Sequence, residues 1–238
     1  MAKIDKSTLS KTEWHILREQ RRWEKEQKQV SQEVRVPEVR SARFDTAFVL
    51  GNGTSRKPIE LPELKPHGKI YACNAVYREF DPDYLVAVDV KMILEINKSK
   101  YQHMHEVWTN PNRAYQNLSG FNFFNPSKGW SSGPTALWLA SQHHYKRIFI
   151  LGFDYKGLEG GKKLNNMYAD TMNYKKSSDS ATFFGNWMRQ TKNVISTHTD
   201  IEYIRVIQPD NYIPEELNNF SNLKHITIED FQKMFNLS

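Results

Sequence analysis

A single cysteine, Cys73, stands in a chain of 238 residues. One thiol excludes an internal disulfide framework and suits a reducing compartment. No apolar run reaches the roughly 18 residues that a membrane-spanning helix needs. The opening Met1-Ala2-Lys3-Ile4-Asp5-Lys6 lacks the apolar core of a secretory signal, so a cytoplasmic location is expected. Blocks of five like charges are absent, and no internal repeat is visible. Histidines in a metal-binding array are also missing. His143 and His144 are adjacent and would point in different directions from a helix, while His103 and His105 have no evident third ligand. No metal site is expected.

What the chain does have is a hydrophobic content of 39% and an aromatic content of 13%, enough for a real core. The net charge is +6, and half of it falls in residues 1–40, which hold ten Lys/Arg and seven Asp/Glu. A basic excess attracts phosphates, nucleic acid or acidic partners, or it simply keeps a surface soluble. The interleaving of aromatic and basic residues that marks a nucleic-acid surface is missing.

Two regions are expected, a basic helical arm with its linker over 1–44 and a nucleotide-binding domain over 45–238. In the arm, Ser10-Lys11-Thr12-Glu13 fits a capping box, and Val36-Pro37 ends the helical pattern. A helix running through Trp14, Ile16, Leu17 and Trp23, with Trp14, Leu17 and Arg21 on one narrow stripe, buries little alone, so it suits docking on the main domain, a protein partner or a second copy. From Phe44 the pattern predicts strands at 46–50, 69–73, 84–88, 106–109, 147–151 and 202–207. It predicts helices at about 58–64, 90–99, 133–144, 180–195, 213–218 and 228–236. This alternation implies a Rossmann-like α/β fold, with a mostly parallel sheet and helices on both faces. Residues 156–180, rich in Gly, Lys, Asn and Ser, are long for a connection and suggest a lid or binding loop.

Polar residues recur where strands end. Gly51-Asn52-Gly53-Thr54-Ser55 follows the first strand, and its glycines permit a sharp turn and close approach of a ligand to backbone amides. It is neither a Walker A loop nor the full dinucleotide fingerprint. Asn74 ends the second strand, either as a turn residue or as an amide that reads a base or sugar. Asp89 ends the third, either capping the next helix or offering a carboxylate to a hydroxyl, a metal or an attacking group. Ser131, Ser132 and Gly133 open a helix and suit an anion. Leu151-Gly152-Phe153-Asp154-Tyr155 ends a later strand. Open parallel sheets bind ligands at this carboxyl edge, so the five groups are expected to converge there.

The order Gly-Asn-Gly-x-Ser, Cys-Asn, Ser-Ser-Gly, Gly-Phe-Asp-Tyr resembles the bacterial sialyltransferases of glycosyltransferase family 42, over roughly residues 45–210. The resemblance implies a CMP-sugar donor held by Asn52, Asn74, Ser131, Ser132 and Gly133. It also implies that Tyr155 and Tyr168 grip the donor phosphate. The family's histidine base, in a Gly-His context, is replaced by Gly185-Asn186, and asparagine takes no proton at neutral pH. His198 follows as a possible substitute. The segment from Pro82 to Asp89 also resembles the MptE-like (DUF115) relatives, which include a pterin diphosphokinase.

The leading expectation is thus a transferase using a nucleotide sugar and an unknown acceptor, without a further cofactor. In it Gly51, Asn52, Gly53, Ser55, Asn74, Ser131, Ser132, Gly133 and Asp154 bind the donor, Tyr155 and Tyr168 donate hydrogen bonds to its leaving phosphate, and Asp89 is the base or positions the acceptor. Two alternatives remain open. One is a Mg-dependent diphosphokinase with Asp89 and Asp154 as ligands. The other is a non-catalytic assembly protein that keeps the fold.

Overall fold

The computed structural model describes residues 44–208, 210 and 212–237. The expected arm, residues 1–40, and all but the last residue of its linker lie outside the described residues. The domain is an α/β fold built on one sheet of eight strands, all parallel, in the order β5-β4-β3-β2-β1-β6-β7-β8. The strands are β1 Thr46–Leu50, β2 Lys69–Cys73, β3 Tyr84–Val86, β4 Val107–Thr109, β5 Asn122–Phe123, β6 Arg147–Leu151, β7 Glu202–Ile207 and β8 Leu223–Thr227. The longer helices are α1 Val90–Ser99, α2 Ser132–Gln142, α3 Gly185–Thr197 and α4 Ile228–Phe235. Among the described residues no helix is long and apolar enough to cross a membrane.

Strand β1 is buried along its whole length, as its unbroken apolar run requires. Its side chains alternate between two cores. Phe48 and Leu50 join Ile70, Phe149 and Leu151 under α1 and α4. Ala47 and Val49 join Tyr71, Ile148 and Ile150 under α2 and α3. Helix α2 is buried almost all round because the strands press on one side and α3 on the other.

The differences from the sequence expectation have local causes. The helix expected at 58–64 is a 3₁₀ turn, Leu61–Leu64. Pro58, Pro62 and Pro66 each remove an amide donor there, so a full α-helix cannot form. The helix expected at 213–218 is likewise a 3₁₀ turn, Glu215–Leu217. Strand β3 stops before Val88, whose N–H leaves the ladder for the Ser132 hydroxyl. Strands β5 and β8 were not expected. Both lie at sheet edges, where a polar Leu-Lys-His-Ile-Thr segment or a two-residue pairing gives no apolar run.

Three glycines fix how closely β1 and β6 approach at their carboxyl ends. A Cβ on Gly51 would stand 2.5 Å from the Gly152 carbonyl oxygen, and one on Gly152 would stand 2.8 Å from that of Gly51. Gly53 meets the same carbonyl and the Asp154 carboxylate. Gly152 also has φ +70°, which L side chains adopt at a cost. Gly152→Ala should therefore destabilise the domain by about 3 kcal/mol or more, the sum of backbone strain and a backbone clash. Gly129→Ala is the comparison: its φ is also positive, +63°, but nothing lies within 4 Å. Its loss should stop at the left-handed cost of about 1–2 kcal/mol. Urea denaturation of both variants measures the difference.

Candidate functional site

The chain leaves β1 toward β2 and returns to β6 on the other side, so the sheet's switch point lies between β1 and β6. A cleft of about 550 Å³ opens there. Gly51, Asn52, Gly53, Asn74, Asp89, Ser131, Ser132, Gly133, Asp154 and Tyr155 all line it. Ser55 faces an adjoining cavity of about 220 Å³, across the side chains of Asp154 and Asn165. Tyr168 lines neither cavity. Placement in the cleft is one matter, and which atoms remain free to meet a ligand is another.

Four of the five amides of the glycine turn are taken within the protein, and only that of Asn52 has no partner among the described residues. Gly51 N–H donates to Leu151 O (2.8 Å), Gly53 N–H to Gly152 O (2.9 Å), Thr54 N–H to Asn165 Oδ1 (2.9 Å) and Ser55 N–H to Asp154 Oδ2 (3.1 Å). The turn is thus a packing joint between β1 and β6 that still lines the cleft. Asp154 is consumed likewise. It accepts from the Ser55 amide and hydroxyl and from Asn165 Nδ2 (2.9 Å). Ser55 and Asp154 thus hold each other.

On the opposite wall, Ser132 sews three elements together. Its buried hydroxyl accepts from Val88 N–H (3.1 Å), so it gives its own proton to Asn74 Oδ1 (2.8 Å). That bond orients the amide of Asn74, which sits at φ 54°, and leaves its Nδ2 without a partner among the described residues. The Ser131 amide is taken by Gln190 Oε1 (3.1 Å), while the Ser131 side chain makes no capping bond. The next amides, those of Ser132 and Gly133, have no carbonyl one turn earlier in the helix to reach. They open α2 at the cleft, and the helix dipole adds partial positive charge there.

Asp89 precedes α1 but does not cap it, because its side chain makes no bond to the helix amides. The carboxylate is exposed on the cleft rim, and the protein around it still desolvates it and raises its pKa above the ordinary aspartate value. No hydrogen bond or ion pair holds it among the described residues.

The hydroxyls of the two expected tyrosines are paired within the protein. Tyr168 donates to Glu79 Oε1 (2.5 Å) and accepts from Arg56 Nη2 (2.9 Å), behind the glycine turn. Arg56 in turn donates from Nε to Gly51 O (2.7 Å). Tyr155 places its ring in the cleft wall but pairs its hydroxyl with Thr191 Oγ1 (2.6 Å). Tyr174 also lines the cleft. Its hydroxyl accepts from Asn52 Nδ2 (3.1 Å) and Ala75 N–H (3.3 Å), so its own proton is left to donate. Burial raises its pKa and keeps that proton on. The residue lies inside the 156–180 segment singled out as a lid, which was the available signal. Asn165 of the same segment and Gln190 of α3 were missed altogether. Neither stands at a strand end.

His198 is not a substitute base. It sits at the far end of α3, where Nδ1 meets Val194 O (2.9 Å) and Nε2 meets the Gln142 amide (2.7 Å), and burial lowers its pKa. Asn186, in the first turn of α3, does line the cleft. Aromatic rings of Trp130, Phe153, Phe184 and Trp187 complete the wall on that side. On the floor, burial pushes the Cys73 thiol up to about 12, so it stays protonated.

The two serines at the α2 start should separate on mutation. Ser132→Ala leaves Val88 N–H and Asn74 Oδ1 unpaired and should cost about 1–2 kcal/mol in urea denaturation. Ser131→Ala removes no capping bond and should stay within about 0.5 kcal/mol. No family model, curated protein or solved structure matches this chain.

Proposed function

We propose that the chain is a transferase that takes its donor as a nucleotide sugar. The observation that carries this reading is one switch-point cleft holding three free chemistries: the amides that open α2, the Tyr174 hydroxyl and the Asp89 carboxylate. In the proposed step, an acceptor hydroxyl attacks the anomeric carbon of the donor. The bond from that carbon to the phosphate oxygen breaks as the new one forms. Asp89 takes the hydroxyl proton, and its raised pKa makes it a better base than an ordinary aspartate. Tyr174 donates a hydrogen bond to the departing phosphate, and the α2 amides stabilise the charge growing there. Asn74 presents its amide to the base or sugar.

A magnesium-dependent diphosphokinase fits these residues less well. Asp154, one of its two expected ligands, already accepts from Ser55 and Asn165. Among the described residues no three His, Cys, Asp or Glu side chains gather as a metal site. The non-catalytic alternative is favoured by one observation, the asparagine at 186 in the cleft wall. Asp89 is what distinguishes the two readings.

Isothermal titration with CMP and UDP is the first test. Binding of neither removes the proposal. Where one binds, Tyr174→Phe should weaken it about tenfold, the loss of roughly one hydrogen bond to a charged group. Tyr155→Phe and Tyr168→Phe should bind as the wild type does. Asp89→Asn should abolish turnover of the matching nucleotide sugar and leave nucleotide affinity intact. Because the Asp89 pKa is raised, the basic form is lost as pH falls, and turnover should decline from a pH above the ordinary aspartate value of about 3.9. Binding with no turnover of any donor supports the assembly reading instead.

A further inference from the structure

The segment 164–175 crosses the cleft as a strap. It brings Asn165, Asn173, Tyr174 and Lys175 to the cavity wall, and Met167 N–H ties it to Asn52 O (2.8 Å). Its outer bend is held by a pair that lies outside the cleft, Arg78 after β2 and Glu95 in the middle of α1. The Arg78 guanidinium meets Glu95 with two bonds of 2.7 Å, from Nε to Oε1 and from Nη2 to Oε2. Its remaining donors point at the strap, from Nη1 to Thr171 Oγ1 (2.8 Å) and from Nη2 to Met172 O (2.9 Å). Glu95 accepts from Asn173 Nδ2 (2.6 Å) and from the Tyr77 hydroxyl (2.7 Å). The Tyr174 ring lies over the same guanidinium, 5.7 Å from its carbon to the ring centroid. Few apolar groups hold the strap here. Thr171 and Met172 are exposed, and Asn173 has φ 67°.

We infer that the Arg78–Glu95 pair is a latch whose opening releases the strap and uncovers the cleft, and that it is a positioning element for Tyr174. The pair contacts the strap at Thr171, Met172, Asn173 and Tyr174 in succession. Glu95 is well covered and fully used, with a side-chain exposure of 9%. Neutralising it removes the bidentate bond that orients Arg78, and the four strap contacts lose their common anchor. The bend over Thr171–Asn173 is then freed, and the Tyr174 hydroxyl keeps only its contacts with Asn52 and Ala75 to hold it at the cavity. The claim that the latch positions Tyr174 for a ligand rests on the proposed function. The claim that it closes the cleft does not.

The lone thiol of the chain reports closure without any ligand. Cys73 lies on the cleft floor, and its Sγ contacts Asn52 Oδ1 (3.7 Å), the same Asn52 that Tyr174 covers. In the full chain, Glu95→Gln and Arg78→Gln should each speed labelling of Cys73 by a disulfide reagent at least tenfold. Arg78→Lys keeps the charge but loses the fork, and should fall between them and the wild type. Lys146→Ala removes an exposed ion pair with Asp45 elsewhere in the domain and should not change the rate. Hydrogen exchange should rise over 164–175 in the latch variants, while β1 stays protected. Unchanged labelling and unchanged strap exchange in both glutamine variants overturn the latch. Faster exchange in β1 to the same degree also overturns it, because the effect is then global. If CMP and UDP fail to bind the wild type, the functional proposal falls and the labelling result still decides the latch. If a nucleotide binds, Glu95→Gln should weaken it about tenfold, and unaltered affinity overturns the positioning of Tyr174.

Discussion

The approach of two backbone turns, with Gly51 and Gly53 on one side and Gly152 on the other, is the constraint on which the rest of the domain depends. No side chain fits between them, since a Cβ on either Gly51 or Gly152 would collide with the other's carbonyl. Their contact lets Gly51 and Gly53 donate to β6 past the end of the regular ladder. That extension closes the sheet at its switch point and sets the floor of the cleft. Arg56 locks the joint from behind through Gly51 O, and its charge is met by Glu79. Burying that guanidinium at 2% exposure is tolerable because every strong partner is at hand. The cleft is thus shaped by atoms that are themselves unavailable to a ligand.

Much of the fold was legible in the sequence, and the reason is burial. Strands β1, β2, β6 and β7 are covered on both faces, so their residues read as apolar runs with sharp ends. Helix α1 shows the spacing of Met92, Ile93 and Ile96 on one face, and the sequence places it without error. Edge strands β5 and β8 have only partial cover, and their pattern vanishes into the polar background. The prolines at 58, 62 and 66 were visible, but their effect on hydrogen bonding was outweighed in the sequence expectation by the leucines between them.

The site was legible in position and not in direction. Residues at strand ends do gather at one rim, because a parallel sheet puts all its carboxyl ends on the same side. Which atom of each residue faces the cavity is decided by partners distant in sequence. Asn165 takes the Thr54 amide from 111 positions away, and Tyr174 covers Asn52 from 122. A motif reads a residue type at a place; it does not read whether a carboxylate such as that of Asp154 is already saturated. Tyr155 and Tyr168 illustrate the same point, since their hydroxyls satisfy Thr191 and Glu79 before any ligand arrives. Tyr174 differs because both its contacts are donors, which leaves its proton uncommitted.

The charge of the cleft carries the last step. Lys175 is the one lysine or arginine that lines it among the described residues, and Asp89 opposes it with a carboxylate. The buried cation nearest the glycine turn, Arg56, is already neutralised by Glu79. On the proposed function, attraction for a phosphate would come less from net charge than from oriented donors: the α2 amides, Tyr174 and Asn74. Such donors act over hydrogen-bond distance and gain strength where water is excluded. An open cleft would leave them competing with solvent. A closed strap removes that competition and at the same time delivers Tyr174, one of the donors. Coverage and recognition are then one event. On the proposed reading, Arg78 and Glu95, which bond each other outside the cleft, would bear on the site only through the strap they hold.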